Sequence, residues 1–214
     1  MSAGYGRSGF FDFSKDENYE AKYKVGNAAL VSAFYESTVD STSNFRMEIG
    51  YASQNLSLEV DDSESKKAFY RNIQYRRQTI NLDANYLFRL AGKGIFRLNL
   101  LLGLNASYNV TTSALGSGWR LVYYPAVDPN GNPYLSSYEE DWGANSRHSK
   151  DLAALALGVN IGVEFSFRLG DRMSLLVQNK YTASLTSVVI LRDFTYTPVW
   201  AGYVSVGVRR RIGR

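Results

Sequence analysis

The segment "GIFRLNLLLGLNASYNV", Gly94 to Val110, constrains the fold more than any other feature of this chain. Phe96, Leu98, Leu100, Leu102, Leu104, Ala106 and Tyr108 take one alternate set of positions. Arg97, Asn99, Leu101, Gly103, Asn105, Ser107 and Asn109 take the other. A period of two places the sets on opposite faces of a strand and excludes a helix. The pattern runs about twice the usual five or six residues of a strand. A strand tilted at about 45° needs about 9–11 residues to cross bilayer hydrocarbon. A soluble sandwich also alternates, but with shorter strands and its apolar face inside. The length therefore points to a membrane barrel, apolar face on lipid and polar face inside.

The pattern recurs. "LALGVNIGVEFSFRL" sets Leu155, Leu157, Val159, Ile161, Val163, Phe165 and Phe167 against small and polar partners. "RMSLLVQNKYTASLTSV", "TINLDANYLFRL" and "WAGYVSVGVRRRI" repeat it. "NFRMEIGYASQNLSLEV" holds Phe45, Met47, Ile49 and Tyr51 in phase, then slips to Leu56, Leu58 and Val60. Such a slip predicts a β-bulge, with a separate hairpin at Ser53 to Asn55 as the alternative. "AGYGRSGFFDF" and "YEAKYKVGNAALVSAFYES" supply two more strands. The connections at 38–43, 91–93 and 169–171 are short; those at 61–67, 111–150 and 188–197 are longer. The expectation is an all-β, single-domain chain over residues 1–214: an eight-stranded antiparallel up-and-down transmembrane β-barrel, with short periplasmic turns and long extracellular loops. Its place would be the bacterial outer membrane, with any signal peptide removed. Phe88, Phe96 and Phe167 on one side and Tyr108, Tyr196 and Trp200 on the other would form the interfacial girdles. The rival is a soluble, lipocalin-like barrel, which would bury Leu98, Leu100 and Leu102.

Composition narrows the function. No stretch approaches the roughly 18 apolar residues of a membrane helix. The 24 basic and 20 acidic residues leave a net charge of +4, but the basic ones are scattered, so a nucleic-acid partner is not expected. There are no cysteines, hence no thiol chemistry. No phosphate-binding loop, dinucleotide fingerprint or HExxH motif occurs, and no cofactor, metal or catalytic residue is expected. His148, the single histidine, lies near Ser146, Ser149 and Asp151 in sequence. It reads as a solvated loop residue rather than part of a lipid-modifying site.

The hairpins "NYLFRLAGKGIFRLNLLLGLNASY" and "LGVNIGVEFSFRLGDRMSLLVQNKY" give the chain its resemblance to the small outer-membrane barrels of OmpA/OmpX type. In pattern it is most similar to the PorT-like outer-membrane β-barrel proteins of the Bacteroidota. The resemblance implies the barrel fold and carries no catalytic signature. Barrels of this kind usually end on an aromatic residue; this chain ends "GVRRRIGR", with Ile212 in the last outward place.

Two regions are candidate sites. On this register Arg46, Glu48, Asp83, Arg89, Arg97, Glu164, Arg168, Lys180 and Arg209 point into the barrel. Eight strands enclose just enough room for side chains, and unpaired charges there cost several kcal/mol each. They read as a plug of ion pairs, or else as a narrow ion path. The second region is the 111–150 segment, rich in Trp119, Tyr123, Tyr124, Tyr134, Tyr138 and Trp142. Disordered segments avoid aromatics, so order is expected, as a cap on the barrel, a protein dock or a glycan platform. Within it "DPNGNPYLSSYE" partly fits a calcium loop, but Pro133 occupies the glycine place, and a plain turn fits as well. Basic residues including Arg71, Arg76, Arg77 and Arg120 gather toward the long loops. Arg76 shares the outward parity of Ile80 and would meet lipopolysaccharide phosphates. The function expected is a non-enzymatic outer-membrane barrel, structural or accessory, that binds a protein partner, such as another outer-membrane subunit, through its aromatic loop, with outer-membrane lipid and lipopolysaccharide as its other partners. The alternatives are a narrow channel and a lipid-modifying enzyme.

Overall fold

The computed structural model describes residues 1–10, 20–62, 69–143, 152–186 and 198–210. These form nine strands: β1 (Ser2–Phe10), β2 (Glu20–Thr38), β3 (Ser43–Asp62), β4 (Phe69–Ala91), β5 (Phe96–Val127), β6 (Pro133–Gly143), β7 (Leu155–Arg168), β8 (Met173–Ser184) and β9 (Val199–Arg210). Eight of them close into an antiparallel ring in the order β1-β2-β3-β4-β5-β7-β8-β9. The seam is β1 against β9, paired from Ser2↔Gly207 to Phe10↔Val199. β6 stands outside the ring and pairs with the distal half of β5.

The turns at 39–42, 92–95 and 169–172 all lie at one end. In the first, the Asp40 carboxylate accepts from the backbone N–H groups of Thr42 and Ser43 and from both hydroxyls, at 2.6–2.8 Å. The second uses Gly92 at φ 94° and Gly94 at φ 71°, conformations that glycine alone adopts without strain.

Burial fixes which face is which. Leu104 is 65% exposed and Ile161 54%, whereas Asn105 is 8% exposed, Asn160 2% and Glu164 0%. An apolar outside around a buried polar inside suits lipid and not water, so the lipocalin-like alternative fails. Phe96 to Tyr108 spans about 28 Å at 45° tilt, close to the ~25 Å apolar band of membrane barrels. Phe96 and Phe167 pack at the turn end with ring centroids 5.5 Å apart.

The outward residues Val31, Tyr51, Ile80, Tyr108 and Leu155 form one continuous cross-strand row. Beyond it the chemistry of the wall inverts. On β3 the outward residues become Ser53, Asn55 and Ser57, and the buried inward ones become Leu56 and Leu58. On β4 the outward residues become Gln74, Arg76 and Gln78, with Ile73 and Tyr75 buried. The lower storey is inside-out for lipid; the upper has the ordinary polarity of a protein in water.

This corrects the bulge expected in β3. Its pairing with β4 is unbroken from Ser43↔Phe88 to Asp62↔Phe69. The apparent slip is a change of environment at constant register. The register shifts fall instead in β2, between Val25 and Ala28, and on β4–β5, between Gln78 and Thr79 and between Arg89 and Ala91. The 111–150 segment, expected as a loop, also differs. Residues 111–127 continue β5 and 133–143 form β6, so β5 is 32 residues long.

Two outcomes test this fold. Leu102→Arg, at mid-band, should destabilise the barrel in vesicles by about 2–4 kcal/mol in denaturant titrations. Leu135→Arg, on the hairpin and 70% exposed, should cost almost nothing; equal costs would contradict the band assignment. In the turn, the Ser43 hydroxyl and the Thr42 backbone N–H are the main donors holding the Asp40 carboxyl down from 3.8 to about 2. Its stabilising effect is therefore full above the ordinary aspartate range and lost as pH falls through about 2. Carboxyl-carbon NMR should find Asp40 still ionised at pH 3.

Candidate functional site

The inward rows of the lower storey carry two charge clusters. Nearest the turns, the Arg46 guanidinium donates to Glu36 Oε2 from Nε at 3.0 Å and Nη2 at 2.5 Å, and its Nη1 lies 2.6 Å from Glu164 Oε2. Arg209 reaches the other Glu36 oxygen at 2.6 Å and donates to Ser166 Oγ at 3.0 Å. Asn44 and Asn99 donate to the same two carboxylates. The Phe34 ring lies 4.4 Å below the Arg46 guanidinium carbon, a cation–π contact.

In the second cluster Lys180 Nζ lies 3.0 Å from Glu48 Oε1 and 2.8 Å from Asp83 Oδ2, and Asn105 donates to Asp83 Oδ1 at 2.5 Å. These partners come from β8, β3, β4 and β5, so the cluster ties opposite walls together. Beside it, Thr182 donates to Asn160, which donates to Asn85 Oδ1 at 3.1 Å. Gly103 makes room for that layer: a Cβ there would collide with the Asn85 amide. A charged lattice this buried is a cross-brace.

Arg46, Glu48, Asp83, Glu164 and Lys180, singled out in the sequence, thus come together in the interior. Arg89 and Arg97 sit half-buried toward the turn end. Arg168 does not join them. It ends β7, is half-exposed, and folds onto the turn to meet Asp171 at 2.9 Å. Glu36, the hub of the first cluster, escaped the sequence reading. Its signal is its phase, since it continues the buried row Leu30, Ser32, Phe34 against outward Val31 and Tyr35. Arg77 was grouped with the rim, but it sits one position from outward Arg76 and is 2% exposed inside the barrel.

The aromatic residues of the 111–150 segment fall on the β5–β6 hairpin. β5 runs on from Tyr108 to Val127, about 60 Å of strand. Pairing to β4 ends at Phe69↔Arg120, while pairing to β6 runs from Ser117↔Gly143 to Val127↔Pro133. Beyond Arg120, among the described residues, the hairpin has no third strand. Tyr124 and Tyr138 share one face, with ring centroids 6.0 Å apart; Trp119 and Tyr123 fall on the other. Tyr123, Tyr124, Tyr134 and Tyr138 are all exposed, as are Leu115 and Leu135, so these tyrosines are not packed into a cap. Of Trp142 only the backbone is described. At the base Arg120 pairs with Glu140 at 2.6 Å. At the tip the Asp128 carboxylate accepts from the N–H groups of Asn130 and Asn132 and from the Asn132 amide. Those bonds, the Asn132 backbone first, hold it below the usual aspartate range. The residues matching a calcium template thus form a turn with Gly131 at φ 86°. His148 and its neighbours lie outside the described residues.

The closed ring, the apolar belt and the braced polar interior define the class: an eight-stranded transmembrane β-barrel of the outer-membrane type. No protein-family model and no curated protein matches the chain. Solved structures of similar form are outer-membrane barrels. Neisserial surface protein A is 15% identical, with a TM-score of 0.39, covering 99% of this chain and 97% of that one. A major outer membrane protein of Thermus thermophilus is 14% identical, with a TM-score of 0.42, covering 99% and 100%. Ail, the attachment invasion locus protein of Yersinia pestis, is 13% identical, with a TM-score of 0.37, covering 97% and 95%.

Removing one member of the brace should be worse than removing all of it. Lys180→Met strands Glu48 and Asp83 and should cost about 3–5 kcal/mol of unfolding free energy. Adding Glu48→Gln and Asp83→Asn should recover most of that loss, a non-additivity that double-mutant cycles measure.

Proposed function

We propose that this chain is a non-enzymatic outer-membrane barrel that presents the β5–β6 hairpin as a docking element for a protein partner, such as another outer-membrane subunit. The observation that carries the reading is the bare hairpin. It projects beyond the ring with exposed tyrosines on both faces and with unpaired backbone edges beyond Arg120 among the described residues. A two-stranded hairpin standing alone in water is marginal. Free edges and exposed aromatics are what strand addition and hot-spot contacts use. Pro125 and Pro133 flank the tip, and prolines of this kind limit indiscriminate edge pairing.

The interior supports the same reading. Arg46, Glu48, Asp83, Glu164 and Lys180, each at 0–5% exposure and joined across the lumen, favour a brace over a conduit. Arg76 is exposed just beyond the Ile80 row, and lipopolysaccharide phosphates are the partner proposed for it.

The test replaces residues 121–139 by a short turn, which keeps the Arg120–Glu140 base. A photo-crosslinking residue at position 123 or 138 should yield a discrete adduct in intact envelopes, and one at Lys93, on the turn side, should not. The shortened barrel should fold normally yet lose the partner on co-purification. A barrel that keeps its partner without the hairpin would refute the dock.

A further inference from the structure

The described interior contains one buried cation without an anion. Arg46, Lys180 and Arg209 each have a carboxylate oxygen within 3.0 Å. Arg77 has none among the described residues. It is 2% exposed, its Nη2 donates only to Ser107 Oγ at 3.3 Å, and its Nε has no partner. It borders a cavity of about 30 Å³ above the charge clusters. Gln54, Asn105, Ser107, Thr182, Ser184 and Tyr203 line its polar side and Val199, Trp200 and Ala201 its apolar side; among the described residues no Asp or Glu lines it.

Several unused donors converge there. Tyr203 Oη accepts from Gln54 Nε2 at 3.0 Å, which leaves its own O–H free to donate. Ser184 Oγ accepts from the Val199 N–H at 2.7 Å, which likewise frees its hydroxyl proton. Gln54 Oε1 has no partner.

The geometry points to a site for one halide-sized anion, chloride in the cell, held by Arg77 with the Ser184 and Tyr203 hydroxyls. Volume guides the size: about 30 Å³ is room for about two waters, which suits chloride better than a phosphate or an organic acid. Charge sets the sign. A water would satisfy a lone donor, but a buried guanidinium with no anion carries the full desolvation penalty of its charge. The bound ion would do for the upper interior what Glu36, Glu48, Asp83 and Glu164 do below.

Two measurements decide it. Crystals of the detergent-solubilised barrel grown in sodium bromide should show an anomalous peak in the cavity, within hydrogen-bond reach of Arg77. Absence of a peak there overturns the site. At constant ionic strength, replacing gluconate by chloride should raise the melting temperature of the wild-type barrel in a saturable way. The rise should vanish in Arg77→Gln and persist in Lys93→Gln. An equal rise in Arg77→Gln, or a bromide peak undiminished in that variant, also overturns it. The diffraction result on unaltered protein stands even where the variant folds poorly.

Discussion

Hydrocarbon offers no water to an unpaired peptide group, and each such group left open costs several kcal/mol. Closure of the ring follows from this, and so does much else. β1 is only nine residues long, yet it pairs with β2 on one side and β9 on the other, and without it the sheet would present two bare edges to lipid. A ring of eight strands then leaves an interior no wider than its own side chains. Charges inside need opposite charges, and the Arg46–Glu36–Glu164 and Lys180–Glu48–Asp83 clusters supply them across the lumen. The brace is a consequence of closure, and the ladder order that sets β8 opposite β3 brings Lys180 to Glu48.

The second organising fact is the level at which lipid ends. At the row through Tyr51, Ile80 and Tyr108 the same strands exchange their apolar and polar faces without losing register. Below it, apolar residues outside and polar ones inside are stable because the solvent is lipid. Above it, Leu56, Leu58, Ile73 and Tyr75 fill the inside. The hairpin is the part of the wall that outruns this second core: its strands keep their ladder hydrogen bonds, and among the described residues nothing covers their side chains. Exposed tyrosines there are the unfinished portion of a sheet, which the proposed protein partner would complete.

How much of this is legible in the chain depends on contrast. β5 from Phe96 to Tyr108, β7 and β8 are readable face by face because lipid demands apolar residues at nearly every outward position, Asn179 on β8 being the exception. The buried charges at positions 46, 48, 83, 164 and 180 follow from the same parity. Legibility fades where both faces meet water. "GSGWRLVYYPAV" and "PYLSSYEEDWG" carry no two-fold contrast, so a hairpin there reads as a loop. At Leu56 and Leu58 a change of solvent imitates a bulge. Arg168 has inward parity but stands at the strand end, where its side chain reaches the turn. Glu36 and Arg77 are matters of phase in segments whose alternation is weak, and their partners are set by the register of strands far apart in sequence.

The central claim is that the Leu face of β5 meets lipid while the Asn face is sealed inside. The most direct test places nitroxide spin labels singly at positions 98 to 108 in the vesicle-reconstituted barrel and measures collision with oxygen and with a water-soluble nickel complex. Oxygen accessibility is expected to peak at 98, 100, 102, 104 and 106 and to fall at 99, 101, 103 and 105. Nickel accessibility should stay low throughout. Strong nickel accessibility at 100, 102 and 104 would put that face in water and contradict the membrane barrel.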